Sequence, residues 1–157
     1  MNRRRGPRMG IDYGSVRIGV AVTDPEGRVV FPKTQIKVGK YGEHIDELAD
    51  IADELNPIEI AIGYPRHLKG AAGRSAKAAR KLAHELKQVL PRPRICLVDE
   101  RMTTNQAHAR LAAQGIDNRA RQDKIDQLAA AIILETSISF EEQTGELPGE
   151  TVSRGQS

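Results

Sequence analysis

The apolar residues of this chain change their period once, and that change limits what it can fold into. From Met9 to Val38 they alternate or run in short β-branched blocks, whereas from Ile45 onward they recur at spacings of three and four. A strand sends successive side chains to opposite faces, and a helix stacks i, i+3 and i+4 on one face, so the switch separates strands from helices. Met9-Gly10-Ile11-Asp12-Tyr13 predicts a short buried strand that Gly14-Ser15 turns into a second one, Ile18 to Thr23. Asp24-Pro25-Glu26-Gly27 is a turn, and Val29 to Val38 reads as a third, partly exposed strand. Ile45, Leu48, Ala52 and Leu55 then mark a helix ended by Asn56-Pro57, and Ile58 to Gly63 a buried strand. Arg74 to Leu90 predicts a helix with Ala79, Leu82, Ala83 and Leu86 inward, and Ile95 to Val98 a fifth strand. Thr104 to Gln114 and Asp123 to Ser137 predict two more helices, the last with Ile125, Leu128, Ala129 and Ile132 inward. A three-stranded meander followed by alternating helices and strands gives an α/β class, with a mixed five-stranded sheet covered by helices.

A chain of 157 residues is long enough for one domain with its own core. The expected division is a basic, flexible segment over 1–8, a folded domain over 9–138 and an acidic, disordered tail over 139–157. The tail carries Glu141, Glu142, Glu146 and Glu150 among Gly, Pro, Ser and Thr, with Arg154 as its sole cation. No apolar run approaches the roughly 20 residues of a membrane helix, and no secretory signal opens the chain, so a soluble cytoplasmic protein without a membrane partner is expected. Cys96 lies in an apolar run and is read as a small packing residue.

Net charge is only +3, but cations cluster. Arg3, Arg4, Arg5 and Arg8 open the chain, and between Arg66 and Arg94 seven further Lys and Arg face a single acid, Glu85. Such a surface suits a polyanion, above all nucleic acid. With two Phe, three Tyr and no Trp, base stacking is not expected to be the main source of affinity. Backbone and shape recognition are.

Most acids fall on polar helix faces, but Asp12 closes the first strand, Asp99 and Glu100 close the last, and Asp126 is placed in the first turn of the last helix. Ligands of such sheets gather beyond the carboxyl ends of the strands, where Asp12 and Glu100 would share an edge if their strands are neighbours. Clustered carboxylates repel unless a cation compensates, and an oxygen-only set suits Mg²⁺ or Mn²⁺. A helix N-terminus would also favour ionised Asp126. Taken singly, the three acids read equally well as a turn residue, a helix cap and a dipole partner.

Gly10-Ile11-Asp12-Tyr13-Gly14-Ser15-Val16-Arg17-Ile18-Gly19-Val20-Ala21, Asp99-Glu100-Arg101-Met102-Thr103-Thr104 and Lys124-Ile125-Asp126-Gln127-Leu128-Ala129-Ala130 resemble, in that order, the motifs of the YqgF/RuvX family. Its members are described as pre-16S rRNA nucleases or as Holliday junction resolvase-like. The resemblance runs from about Gly10 to Ile138 and implies a ribonuclease H-like fold. It places the acidic catalytic and metal-binding positions on Asp12, Glu100 and Asp126. Gly63-Tyr64-Pro65 resembles the family's Gly-Leu-Pro loop with Tyr for Leu, and Met102 stands where Leu is usual. The implied reaction is phosphodiester hydrolysis by water with two metal ions about 4 Å apart, leaving a 5′-phosphate and a 3′-hydroxyl. Arg17, Arg66, Lys69, Arg74, Lys77 and Lys81 are then candidates for phosphate contact, with Arg101, Thr103 and Thr104 beside the second acidic motif; Asp99 would orient Arg101, and His67 reads as a surface residue.

Three other readings compete. The Asp12-Tyr13-Gly14-Ser15 turn also fits the actin-like sugar kinases and chaperone ATPases, but those close two such domains on a nucleotide. A module that binds structured nucleic acid without cutting it would leave the acids vestigial. A resolvase acting on branched DNA would need a homodimer with two sites, whereas an rRNA nuclease would meet its substrate in ribosomal precursor particles.

Overall fold

A computed structural model describes residues 3–65, 71–99 and 118–154, without the side chains of 71, 72 and 118–126. Three strands come first: β1 (Arg8–Tyr13), β2 (Arg17–Thr23) and β3 (Val30–Lys37). Helix α1 (Glu43–Leu55), β4 (Glu59–Tyr64), α2 (Ala71–Val89), β5 (Arg94–Asp99), α3 (Asn118–Thr144) and β6 (Glu150–Val152) follow. The sheet order is β3-β2-β1-β4-β5-β6; β1, β4 and β5 run parallel, and β2, β3 and β6 are antiparallel to their neighbours. The mixed sheet and the α/β class agree with the sequence reading. The strand count is corrected from five to six, and the helix expected over Thr104 to Gln114 lies outside the described residues.

Strand alternation divides the core into two layers. Met9, Ile11, Ile18, Val20, Ile60, Ile62, Ile95 and Leu97 point to one face, where they meet Ile45 and Leu48 of α1 and Leu82 and Leu86 of α2. On the other face, Ala21 packs with Ala130, Ala131 and Leu134 of α3, and Ala61, Cys96 and Val98 pack with Ile133. The α3 run Ala129 to Leu134 is buried on all sides, which fits an apolar block without an amphipathic stripe. Burial, with the charge of Glu59 adding to it, pushes the Cys96 thiol up to about 12, so it packs as the sequence predicts.

Gly10 sets how closely α3 can lie. A Cβ there would come within 2.7 Å of the Ala130 carbonyl oxygen and 2.9 Å of Leu134 Cβ. Its sheet neighbours on that face, Ala21 and Ala61, are also small.

Below this row the α3 face carries charge. Arg8 of β1 pairs in register with Glu59 of β4, and Glu59 with Arg94 of β5. The Arg8 guanidinium donates to both carboxylate oxygens of Glu141 at 2.9 and 3.0 Å, and all three of Arg8, Glu59 and Glu141 are buried. Arg4 donates to Glu141 and Glu59 at 2.7 and 2.8 Å, and Arg94 donates to Glu59 at 2.7 Å. Two expectations are thereby corrected. Arg3 and Arg4 are tied into ion pairs, and Arg8 is a buried strand residue, so the cations of 3–8 are held by carboxylates and do not form a loose basic arm. The segment after Ile138 is not a free tail either: α3 continues to Thr144, and Glu150–Val152 adds β6 to the edge of β5. Composition hid this because the acids of the segment are partners of distant arginines.

Two outcomes test this packing. Gly10→Ala should lower stability by about 1–3 kcal/mol through overpacking, read as a shifted urea midpoint at unchanged slope; an unshifted midpoint would show that α3 is not seated on Gly10. Burial raises the Glu141 carboxyl, but the hydrogen bonds from Arg4 and Arg8 outweigh it and hold the group at about 2. With an unfolded value near 4.5, its stabilisation is complete above that pH and is lost as the pH falls towards 2. Glu141→Gln should cost about 3–5 kcal/mol at neutral pH, because it leaves Arg8 buried and undercompensated, and should flatten the melting temperature profile between those values.

Candidate active site

The site is built at the opposite end of the same face. β1, β4 and β5 are parallel, so their carboxyl ends lie along one edge of the sheet. Asp12, half-buried and next to last in β1, lies across from Gly19 of β2. The β1–β4 register, extended by one pair beyond Ile11 and Ile62, sets it beside Gly63, which faces Val98 of β5. Asp12 has the parity of Gly10, so it belongs to the α3 face. Its neighbours across both strands are glycines, which leaves room around the carboxylate for a ligand.

The turn after Asp12 also needs its glycine. The Gly14 amide donates to the Arg17 carbonyl at 2.9 Å, and a Cβ on Gly14 would sit 2.7 Å from that same oxygen. The turn brings Arg17, the first residue of β2, to the same edge, where it pairs in register with Lys37.

Helix α3 runs antiparallel to β1. Its distal end meets Arg8 through Glu141, and its middle meets Gly10 through Ala130 and Leu134. The backbone turn holding Asp126, four residues before Ala130, is therefore at the Asp12 end of β1. Asp126 is the ninth residue of α3 and not part of its first turn. The expected help from the helix dipole is corrected accordingly, since that effect fades within one turn.

Asp99 is the exposed last residue of β5, level with Tyr64. The condition under which Asp12 and Glu100 would share an edge, that their strands are neighbours, is not met: β4 lies between β1 and β5, two strand spacings or about 9.5 Å across. Glu100, Arg66, Lys69, His67, Arg101, Thr103 and Thr104 lie outside the described residues. Among the described residues no group of three or more His, Cys, Asp or Glu is placed to hold a metal ion. No described helix is long and apolar enough to cross a membrane.

Arg74, Lys77 and Lys81 are exposed on α2, whose other face buries Ala79, Leu82, Ala83 and Leu86, as the sequence predicts, and Ala76 as well. Sequence reasoning passed over Arg80 as a site residue. Its guanidinium lies 5.2 Å from the centre of the Tyr64 ring, donates to the Tyr64 hydroxyl at 3.3 Å and pairs with Glu150 at 2.7 Å. Hydrogen bonding to Glu150, then to Tyr64, raises the arginine's affinity for its proton against the effect of burial. The basic stripe of α2 was the available signal for Arg80; its carboxylate partner, 70 residues away, had none.

Comparison with known proteins places this geometry. The model of the RuvX family, described as Holliday junction resolvase, matches residues 6–139. A protein of Streptomyces avermitilis named "Putative pre-16S rRNA nuclease" is 39% identical over 152 residues, 97% of each chain. Proteins of the same name from Streptomyces coelicolor and Thermobifida fusca are each 40% identical; the matches cover 95% of this chain in both cases, and 89% and 97% of the relatives. Among solved structures, Thermus thermophilus RuvC in complex with a Holliday junction substrate aligns with a TM-score of 0.63 at 15% identity, over 90% of this chain and 99% of that one. A second structure of Thermus thermophilus RuvC gives a TM-score of 0.52 at 16% identity, over 93% of this chain and 99% of that one. These likenesses are of fold, and the fold is the ribonuclease H-like one that the motifs implied. With the family model matching residues 6–139 and its relatives matched over nearly their full length, the chain belongs to the RuvX family.

Proposed function

We propose that the chain is a divalent-metal-dependent nuclease that hydrolyses phosphodiester bonds in the 5′-end maturation of pre-16S rRNA. The observation that carries the proposal is the position of Asp12 at the carboxyl edge of the central strand, between two glycines, at the end of the sheet where the Asp126 turn of α3 lies. Glu100 follows β5 directly and has the sequence parity of Val98, the β5 residue level with Asp12. An all-carboxylate donor set suits Mg²⁺ or Mn²⁺ and offers no Ser-His or Cys-His nucleophile, so water is the attacking species. Asp12, Glu100 and Asp126 would hold two such ions. Bound there, the ions supply an activated water and stabilise the leaving 3′ oxygen.

The remaining residues position the strand. Arg17 stands at the site turn, and Arg74, Lys77 and Lys81 offer charge to flanking phosphates without reading sequence. Arg66, Lys69, Arg101, Thr103 and Thr104 complete the phosphate-binding set of the proposal. Ranking pre-16S rRNA in precursor particles above branched DNA rests on the name borne by relatives of about 40% identity. The second reading, a resolvase acting on branched DNA, has only the wording of the family description behind it, and it would require two sites in a homodimer. The proposed place of work is the cytoplasm.

Cleavage of a precursor rRNA fragment and of a four-way junction, compared in Mg²⁺ and Mn²⁺, decides between the substrates; preferred cleavage of the junction would reverse the ranking. Asp12→Asn, Glu100→Gln and Asp126→Asn should each lower kcat on the order of 100- to 1,000-fold, the effect of removing one electrostatic stabiliser, while substrate binding survives. Undiminished cleavage by all three would end the metal proposal. Replacing Arg74, Lys77 and Lys81 together by Gln should raise KM more than it lowers kcat. The same triple change should also reduce the log–log salt slope of binding by about 2, at roughly 0.7 per phosphate contact on a single strand; an unchanged slope would remove α2 from the interface.

A further inference from the structure

A cleft of about 440 Å³ opens on the other side of the same sheet edge, with Tyr13, Lys40, Tyr41, His44, Lys81 and Glu85 among its walls. Tyr13 follows Asp12 directly but has the opposite strand parity, and it packs with the α1 and α2 layer. Tyr41 is 84% exposed, so its ring contributes little to the core. Lys40 Nζ lies 5.7 Å from the centre of that ring. The loop carrying them is tied down: the Tyr41 amide donates to Glu43 Oε1 at 3.0 Å, the Gly39 amide donates to His44 Nδ1 at 3.2 Å, and Gly42 adopts a positive φ of 82°. An aromatic ring held in water by a bonded loop, beside Lys40 and in a cleft shared with Lys81 and with Tyr13, the residue after Asp12, is arranged for a flat apolar ligand that carries negative charge.

We propose that this cleft receives an unpaired nucleotide of the substrate strand next to the cleaved bond, with its base stacked on Tyr41 and its phosphates against Lys40 and Lys81. The inference rests on the nuclease reading and narrows it: the substrate needs a single-stranded flank beside the cut. Glu85 in the wall disfavours a bare phosphate and suits the amino group of a base edge, which a carboxylate can accept. Stacking tolerates any base, so the cleft selects unpaired over paired nucleotides rather than one sequence over another. Tyr13 and Asp12 are one strand residue, about 3.3 Å, apart along β1. A strand crossing the sheet edge at Asp12 therefore reaches the cleft within a short span, and the exposed cations of α2 continue its path.

The test uses the full chain carrying Asp12→Asn, so that probes stay intact, and measures binding of a labelled single-stranded RNA and of the same strand made abasic. Adding Tyr41→Ala should weaken binding of the base-containing strand about 10-fold, the scale of one lost base–aromatic stack, and leave the abasic strand unaffected. Tyr41→Phe should restore the affinity, while Lys40→Ala and Lys81→Ala should weaken both probes alike. No loss with Tyr41→Ala, an equal loss on the abasic strand, or no binding of the base-containing strand would each overturn the cleft. The nuclease reading fails separately: an otherwise unaltered chain that cuts no nucleic acid in Mg²⁺ or Mn²⁺, yet keeps the Tyr41 dependence of binding, would overturn that reading alone.

Discussion

The close seating of α3 on the sheet is the contact on which the rest depends. It requires a row of small side chains across Ala21, Gly10 and Ala61, because helix backbone and sheet meet at Gly10 with no space for a Cβ. Burial on that face is otherwise supplied by Ile133, Leu134 and Val98, and interiors packed at crystal-like density transmit a small displacement instead of absorbing it. A helix lifted off Gly10 would move the Asp126 turn away from the end of β1 and loosen Glu141 from Arg8 at the other end.

One helix thus connects two charged ends of a single face. At the amino edge of the parallel strands, charges are shared in one network: Glu141 and Glu59 are enclosed by Arg4, Arg8 and Arg94. Breaking such a buried set by removing one partner is costly even where the whole set contributes little net stability. At the carboxyl edge Asp12 stands between glycines. The amino edge fixes the register of α3 against β1, and the carboxyl edge uses that register.

The first three strands, the α1 stripe and the inward residues of α2 were legible because each is a local pattern: period two, period 3.6, and turn chemistry at Asp24 to Gly27 and Asn56-Pro57. The last helix was legible in kind but not in extent. Its Ala129 to Leu134 block is buried on every side, so no stripe marked its limits, and Asp126 falls well inside it. The sixth strand escaped because Glu150-Thr151-Val152 is short and polar, and it becomes a strand by pairing with the edge of β5.

From the residues alone came the class, the order of most elements, the acids at strand ends and the family to which they belong, all properties of short segments and of their succession. Tertiary structure decided which charges are taken up inside the core. Arg8 and Glu141, read as parts of a basic arm and an acidic tail, are partners in the core, while Tyr41 stays in solvent beside the site edge. Pairing across some 130 residues has no local signal, since a carboxylate looks the same in sequence whether water or a guanidinium will surround it.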